Sequence, residues 1–390
     1  MRTPDLNWLK DSRIFQVNRL QAYSDHIYTM GKDKKPSSFS LNGTWKFKQS
    51  KNFDSCFKFF YNTEFNDANW NDIQVPGHIQ LQGFDNPHYT DVTYPWDGHD
   101  VVKPGQIDMD KNKVYQYRKT FDLPQDFINH KLILSFEGVE SNVYVWLNGI
   151  FLGYSEDSFT PSRFDITKYV QEKDNTLCVR IFQKCTGTWL EDQDMWRFNG
   201  IFRDVMIYKQ PDIHIQDLHI DTNIDLDTKK SILTCTCKLT SNESHTLQTK
   251  LYDPQGNIVW NANMQDTFEI PVENTILWSS EFPNLYQLEI VLYDTNNEIL
   301  ETIQEQVGFR KFSLEYGIMK LNGKRIIFHG INRHEWNPKT GRSITSEQME
   351  EDIHMLKSLN INAVRTSHYP NNSYWYKLCD QYGIYVIDEM

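Results

Sequence analysis

The sequence predicts two antiparallel β-sandwiches followed by the opening of a parallel α/β unit. Three observations carry this. From about residue 41 to 210, and again from 212 to 309, short runs of alternating apolar and polar residues are separated by turn formers, the pattern of half-buried sandwich strands. After Lys311 the order becomes strand, helix, strand, helix, strand, the way a parallel sheet is built. A chain of 390 residues, 39% hydrophobic and 24% charged, suffices for two or three packed domains.

The first unit is read as residues 1–211. Lys131-Leu-Ile-Leu-Ser-Phe136 and Asn142-Val-Tyr-Val-Trp-Leu147 are its clearest strands, Asn148-Gly149 signals a type I′ hairpin, and residues 150–154 return. Residues 177–182 and 204–208 extend the same reading to a jelly-roll sandwich. The second unit, 212–311, has strands at 231–239, 249–252 and 286–293, turns at Asp253-Pro-Gln-Gly256 and Asp294-Thr-Asn-Asn297, and no helix-period segment. That fits an immunoglobulin-like sandwich.

In the third unit, 312–390, Arg325-Ile-Ile-Phe-His329 reads as a buried strand. Thr345-Ser-Glu-Gln348 is a capping box opening a helix with Met349, Ile353, Leu356 and Leu359 on one side. A strand at 361–365, a helix at about 373–382 and a strand at 384–388 complete βαβαβ, the first part of a truncated (β/α)8 TIM barrel. A barrel closes with eight strands and eight helices. The strand at 384–388 is therefore expected to leave an open edge and exposed apolar faces, and the unit to be loose, aggregation-prone or completed by another chain.

Lys and Arg number 40 against 52 Asp and Glu, a net charge of −12, which argues against nucleic-acid and anionic-membrane partners. Residues 1–10 hold no signal-like apolar core and no later run is long enough to span a bilayer, so a cytoplasmic location is expected. The cysteines at 56, 178, 185, 235, 237 and 379 read as reduced thiols, since Cys235-x-Cys237 lacks the second pair of a zinc frame. The sequons at Asn42 and Asn371 are then idle. Aromatic residues make 14% of the chain; their faces pack cores and also accept the C–H faces of sugars, and composition does not separate the two.

The C-terminal ends of parallel strands face the reaction side of a barrel. Here they carry Asn332-Arg-His-Glu335, Arg365-Thr-Ser-His368 and Asp388-Glu389. His334 and His368 either cap strand ends by hydrogen bonding or face a ligand. Two histidines at equivalent ends, each beside arginine or carboxylate, favour the ligand.

Asn362-Ala-Val-Arg-Thr-Ser-His-Tyr-Pro370, followed by Trp375-Tyr376, Asp380 and Gly383-Ile-Tyr-Val-Ile387, resembles glycoside hydrolase family 2, and within it the β-galactosidases. Trp189-Leu-Glu-Asp-Gln-Asp-Met-Trp-Arg-Phe-Asn-Gly-Ile-Phe-Arg-Asp204 and Gly330-Ile-Asn-Arg-His-Glu335 agree, so the resemblance covers almost the whole chain.

The resemblance implies hydrolysis of terminal β-galactosides with retention, by two carboxyl groups about 5–5.5 Å apart. Both glutamates, and the magnesium ligands, are expected beyond Met390, leaving this chain inactive alone. Glu389, without an evident partner, is not expected to substitute. Asp194 matches the aspartate that reaches galactose and helps hold sodium, both suited to a hard oxygen donor; its competing reading is an ion pair with Arg197 or Arg203. His334 and His368 match the histidines that contact galactose hydroxyls, as binders rather than acid or nucleophile. Asp91, in Thr90-Asp-Val-Thr-Tyr-Pro95, stands where better-known members have asparagine. A sugar contact and a turn residue are both open for it, while neighbouring Trp96 reads as a packed core indole.

The intact enzyme is expected to use magnesium and sodium, to form an oligomer, and to gain the rest of its barrel on the same chain or from a small subunit. Two other readings stand beside it. One is a non-catalytic carbohydrate-binding or complementation fragment; the other is a family 2 glycosidase acting on glucuronides or mannosides, which the segments around Asp194 and His368 disfavour.

Overall fold

The computed structural model describes residues 3–33, 35–98, 100, 102–103, 105–241 and 243–389; Met390 lies outside them. Among the described residues, the first sandwich packs a seven-stranded antiparallel sheet against a four-stranded one. The larger sheet runs Gln16–Val17, Ile150–Ser155, Val143–Leu147, Asn175–Phe182, Val114–Phe121, Gly43–Ser50, Asn71–Val75; the smaller runs Ser162–Asp165, Lys131–Phe136, Val205–Gln210, Ser38–Ser40. Trp45, Phe47, Tyr117, Leu134, Phe136, Val145, Val179 and Ile207 fill the space between them. Each such side chain contributes about 1.5–3 kcal/mol of burial free energy. Asn148 and Gly149 take φ of 51° and 80°, the left-handed pair a type I′ turn needs, and so fix the register Leu147↔Ile150.

The immunoglobulin-like sandwich sets a three-stranded sheet, Ile215–Asp225, Lys230–Leu239 and Thr267–Val272, against a six-stranded one. The latter orders Ile258–Met264, Thr246–Tyr252, Tyr286–Tyr293, Ile299–Val307, Tyr28–Met30 and Lys35–Pro36. Its last two strands come from residues the sequence reading placed with the first unit. Tyr28–Met30 pairs with Ile299–Val307 and the Tyr28 hydroxyl donates to the Lys209 carbonyl at 2.8 Å, which covers an otherwise open edge. Cys235 and Cys237 point into this core from one face with sulfurs 3.9 Å apart, and all six cysteines are buried and unbridged.

In the third unit, Gly330–Arg333, Ala363–Thr366 and Tyr385–Ile387 form a parallel sheet, with helices Ser346–Ser358 and Ser373–Tyr382 packed through Met349, Ile353, Leu356, Trp375 and Leu378. The capping box is present: Thr345 Oγ1 accepts the Gln348 N–H, and Gln348 Oε1 accepts the Thr345 N–H. Leu359, expected on the buried side, is instead the C-cap and 63% exposed. The helix ends before its last turn can carry that residue onto the core.

The first strand also shifts. Residues 325–329 do not pair as the expected buried strand: Lys324–Arg325 closes a hairpin with Ile318–Leu321, Ile327 is exposed, and parallel pairing begins at Gly330 opposite Ala363. The Ile326 N–H continues the hairpin to Met319 and the His329 N–H is taken by Asn362 Oδ1, so this segment's backbone is satisfied elsewhere. Gly330 allows the close approach, since a Cβ there would lie 3.1 Å from Ala363. Ile331 and Ile387 remain exposed on the open sheet. No helix of the described residues is long and apolar enough to cross a membrane.

The third unit is locked to the second at Gly383, which caps the last helix at φ 73° and accepts a hydrogen bond from Ser280 Oγ at 2.5 Å. A Cβ on Gly383 would sit 2.3 Å from the Ser280 carbonyl oxygen. Gly383→Ala is expected to destabilise by more than the about 1–2 kcal/mol of left-handed strain alone. The check is the melting temperature, and an unchanged value would mean that this cap does not hold the two units together.

Candidate functional site

Strand His88–Thr90 pairs with Met195–Arg197, which sets Tyr89 beside Asp194. The Tyr89 hydroxyl donates to Asp194 Oδ1. The arginines that could have neutralised Asp194 are engaged elsewhere: Arg197 pairs with Asp192 at 2.6 Å and Arg203 with Glu335 at 2.8 Å. Asp194 is left exposed.

His334 reaches the site from between two buried anchors. Arg333 bonds Asp352 at 2.8 Å and Asn371 Oδ1 at 2.7 Å, and lies over the Trp375 ring at 3.6 Å. Glu335 holds Arg203 and accepts the Asn372 N–H at 2.8 Å. With both neighbours pulled inward, the strand end turns His334 outward. Burial, and then the adjacent His368, lower the His334 pKa, so the ring is neutral at pH 7 with one donor and one acceptor.

His368 follows Ala363–Thr366, its ring 5.4 Å from that of His334 at 84°. Contrary to expectation, Glu389 has partners. Arg365 Nε donates to Glu389 Oε1 at 2.7 Å, and His368 Nδ1 lies 3.1 Å from Glu389 Oε2. Burial works against the Glu389 charge, but the hydrogen bonds from His368 and Arg365 outweigh it and hold that carboxyl below its ordinary value. An ionised Glu389 can only accept, so it favours the His368 tautomer that carries its proton on Nδ1.

Asp194 and His334 line one cleft of about 240 Å³ with Tyr89, Met195, Trp196, Trp336 and Arg342. Larger hollows of about 370 and 330 Å³ lie on the immunoglobulin-like sandwich, the second reaching Phe312 and Asp380 of the third unit, and neither is lined by Asp194 or a strand-end histidine. The structure thus brings Asp194 and His334 to one cleft, and His368 beside His334 without lining that cleft. Asp91 lies in an exposed bend one step past the Thr90↔Met195 pair, outside the cleft lining. Trp96 is buried against Trp189 and Tyr94.

Sequence reasoning missed Arg342 and Glu140. Arg342, fully buried on the loop after Trp336, donates to Glu140 Oε2 of the first sandwich and to the Trp196 carbonyl at 3.0 Å. Its N–H donates to His78 Nε2 at 3.0 Å.

Three family models match in succession: "Glycosyl hydrolases family 2, sugar binding domain" over residues 39–211, "Glycosyl hydrolases family 2" over 213–310, and "Glycosyl hydrolases family 2, TIM barrel domain" over 312–390. A beta-galactosidase of Halalkalibacterium halodurans is 50% identical over 399 residues, which cover 99% of this chain and 39% of that protein. One from Clostridium acetobutylicum is 46% identical, with 99% and 44% covered. A beta-galactosidase large subunit of Lactobacillus acidophilus is 42% identical, with 99% and 65% covered. The chain therefore spans less than half the length of the first two. Among solved structures, a beta-glycosidase from Bacteroides vulgatus superposes with TM-score 0.72 at 25% identity, over 90% of this chain and 44% of that one. A β-glucuronidase from Ruminococcus gnavus shares the fold with TM-score 0.74 at 21% identity, over 96% and 61%. With its jelly-roll sandwich, immunoglobulin-like sandwich and opening βαβαβ of a TIM barrel, the chain belongs to glycosyl hydrolase family 2.

Proposed function

We propose that the protein carrying this chain is a β-galactosidase, releasing terminal galactose from β-galactosides such as lactose with retention, and that this chain supplies its sugar-contacting wall. The observation that carries the reading is the convergence of Asp194, from the first sandwich, with His334, from a barrel strand end, on one cleft beside His368. The Asp194 carboxylate accepts from sugar hydroxyls, neutral His334 donates and accepts, and His368 adds a second imidazole beside it. These contacts speed the reaction as far as they tighten when the ring flattens toward its oxocarbenium-like transition state.

Retention needs two carboxyls about 5–5.5 Å apart. Glu389 is committed to Arg365 and His368, so the acid/base and the nucleophile are assigned to barrel strands outside residues 1–390. Arg342, which lines the cleft, is held by Glu140, and Arg365, beside His368, is held by Glu389, so neither is free for the carboxylate of a glucuronide. That favours a neutral sugar over a uronic acid.

The oxygen-only character of Asp194 and the Tyr89 hydroxyl beside it fits sodium as a partial ligand set. Sodium bound there would add positive charge for a sugar hydroxyl oxygen. Magnesium, which the family implies, is assigned to ligands outside residues 1–390; among the described residues no group of three or more His, Cys, Asp or Glu is gathered. A relative named as a large subunit supports a partner that completes the barrel. An oligomer in the cytoplasm is proposed with it.

The test is a panel of aryl β-glycosides offered to the full-length protein and to residues 1–390 alone. The galactoside is expected to be preferred over glucuronide and mannoside, with turnover confined to the full-length protein. Preference for the glucuronide, or turnover by residues 1–390, would overturn the reading.

A further inference from the structure

The loop that carries Asp194 is held on both sides of that residue. Downstream, Met195–Arg197 pairs with His88–Thr90. Upstream, one short segment of the first sandwich, residues 156–158, grips the loop twice. Glu156 accepts the Gly187 N–H at 2.7 Å and the Thr186 hydroxyl at 3.0 Å. Three positions before Asp194, the two carboxyl oxygens of Glu191 meet Ser158, one at 2.7 Å from its N–H nitrogen and the other at 2.6 Å from its Oγ. Burial pushes the Glu191 carboxyl up to about 8, while the Ser158 hydrogen bonds hold it down. Both bonds survive in either protonation state, because the serine hydroxyl donates to a carboxylate and accepts from a carboxylic acid. Between Glu191 and the strand, the Gln193 carbonyl accepts the Met195 N–H at 2.8 Å. The chain therefore turns tightly around Asp194, and a shift at Glu191 reaches it directly.

Ser158, fully buried, also stands where the sandwich meets the barrel. The next residue, Phe159, stacks on Tyr369, the neighbour of His368, with centroids 4.4 Å apart at 11°. The Phe159 carbonyl accepts from Arg203 Nη1 at 2.7 Å. Arg203 Nη2 donates to Glu335, the neighbour of His334, and to the Pro370 carbonyl, both at 2.8 Å. A two-residue corner thus sets the Asp194 loop against both histidine-bearing strand ends.

We propose that Glu191 is a positioning residue: gripped by Ser158, it registers the Asp194 carboxylate against His334 so that both reach the same sugar. The inference rests on the galactosidase reading above, with Asp194 as a sugar contact. Glu191 does not line the cleft and acts through Asp194. It takes no part in the Phe159 and Arg203 contacts, so its removal frees the loop and leaves the sandwich docked on the barrel.

In the full-length enzyme, Glu191→Ala is expected to lower kcat/KM for an aryl β-galactoside about tenfold, less than the roughly hundredfold that a full 1 Å misplacement costs. Glu191→Gln should recover most of that loss, since its amide oxygen takes the Ser158 N–H and its NH2 donates to the serine hydroxyl. The deciding measurement is a double-mutant cycle with Asp194→Asn. With Asp194 already replaced, Glu191→Ala is expected to cost less than about twofold more. The same tenfold loss in that background, or an unchanged kcat/KM in Glu191→Ala alone, would show that Glu191 only packs its loop and overturn the assignment. If Glu191→Ala does not fold, Ser158→Ala in the same cycle decides, because it removes one of the two bonds and leaves the other. An unaltered enzyme that cleaves no galactoside, or Asp194→Asn at full activity, would instead sink the galactosidase reading or the place of Asp194 in it, and the positioning role with them.

Discussion

Replacing Arg342 by methionine is expected to destabilise the protein by about 3–5 kcal/mol, the scale for breaking a buried ion pair from one side. Arg342 and Glu140 are 1% and 7% exposed and 202 residues apart in sequence. The guanidinium sits among the rings of Phe198, Tyr369 and Phe159 at 5.3 to 5.7 Å. Water cannot replace it there. Burial already pushes the Glu140 carboxyl above its ordinary value, with Arg342 holding it back; in Arg342→Met it rises further. A carboxyl that holds its proton longer when folded makes stability fall as pH rises from the unfolded value toward the raised folded one. The variant's deficit should therefore be larger at pH 8 than at pH 5. Arg342→Met with Glu140→Leu should recover much of the loss, because an apolar pair of similar size removes the stranded charge. Activity should not return with stability, since the Trp196 carbonyl has lost its tether. An Arg342→Met melting temperature equal to that of the unaltered protein, or a double variant no more stable than the single, would show that the pair does not dock the sandwich onto the barrel.

What the sequence showed and what it hid divide along the range of the interactions. Strands 131–136 and 286–293, the I′ turn at Asn148-Gly149 and the Thr345 capping box are local. Each is set by alternation or by one side chain reaching a neighbouring backbone group, and each is found where it was read. The misplaced strand at 325–329 shows the weakness of the same logic: Ile326-Ile327-Phe328 has the composition of a buried strand, but whether it pairs depends on Asn362, which takes the His329 N–H from a distant strand. Gly330 was the available signal, as a residue that permits close backbone approach. The cleft wall depends on His88–Thr90 pairing with Met195–Arg197 across more than a hundred residues, and Arg342 reaches Glu140 from a loop. A lone arginine or glutamate carries no period, so nothing local announces its partner. His334 and His368 stood out by their places at parallel strand ends, whereas Asp194 was read from motif resemblance, since neither composition nor periodicity links it to them. Glu389 was underestimated because its partners Arg365 and His368 meet it only once Ala363–Thr366 and Tyr385–Ile387 lie side by side.

Asp194→Asn in the full-length enzyme is expected to lower kcat/KM for galactosides by about 10- to 150-fold, the equivalent of one hydrogen bond to a charged group, about 1.5–3 kcal/mol. Asparagine keeps the size and can still accept from Tyr89, but it loses the charge and replaces the second carboxylate acceptor by a donor. A sugar hydroxyl that donates to Asp194 would then face an N–H. Stability should change little, because Asp194 is exposed and its arginine neighbours are paired with Asp192 and Glu335. That separates this variant from Arg342→Met, in which folding and activity fall together. The unaltered enzyme is expected to show a lower KM in sodium than in potassium, and Asp194→Asn to erase the difference, since an amide is a poorer ligand for a hard cation than a carboxylate. Loss of activity accompanied by a large drop in melting temperature would mean that Asp194 holds the Tyr89 strand in place rather than the sugar. Full activity in the variant would remove Asp194 from the site.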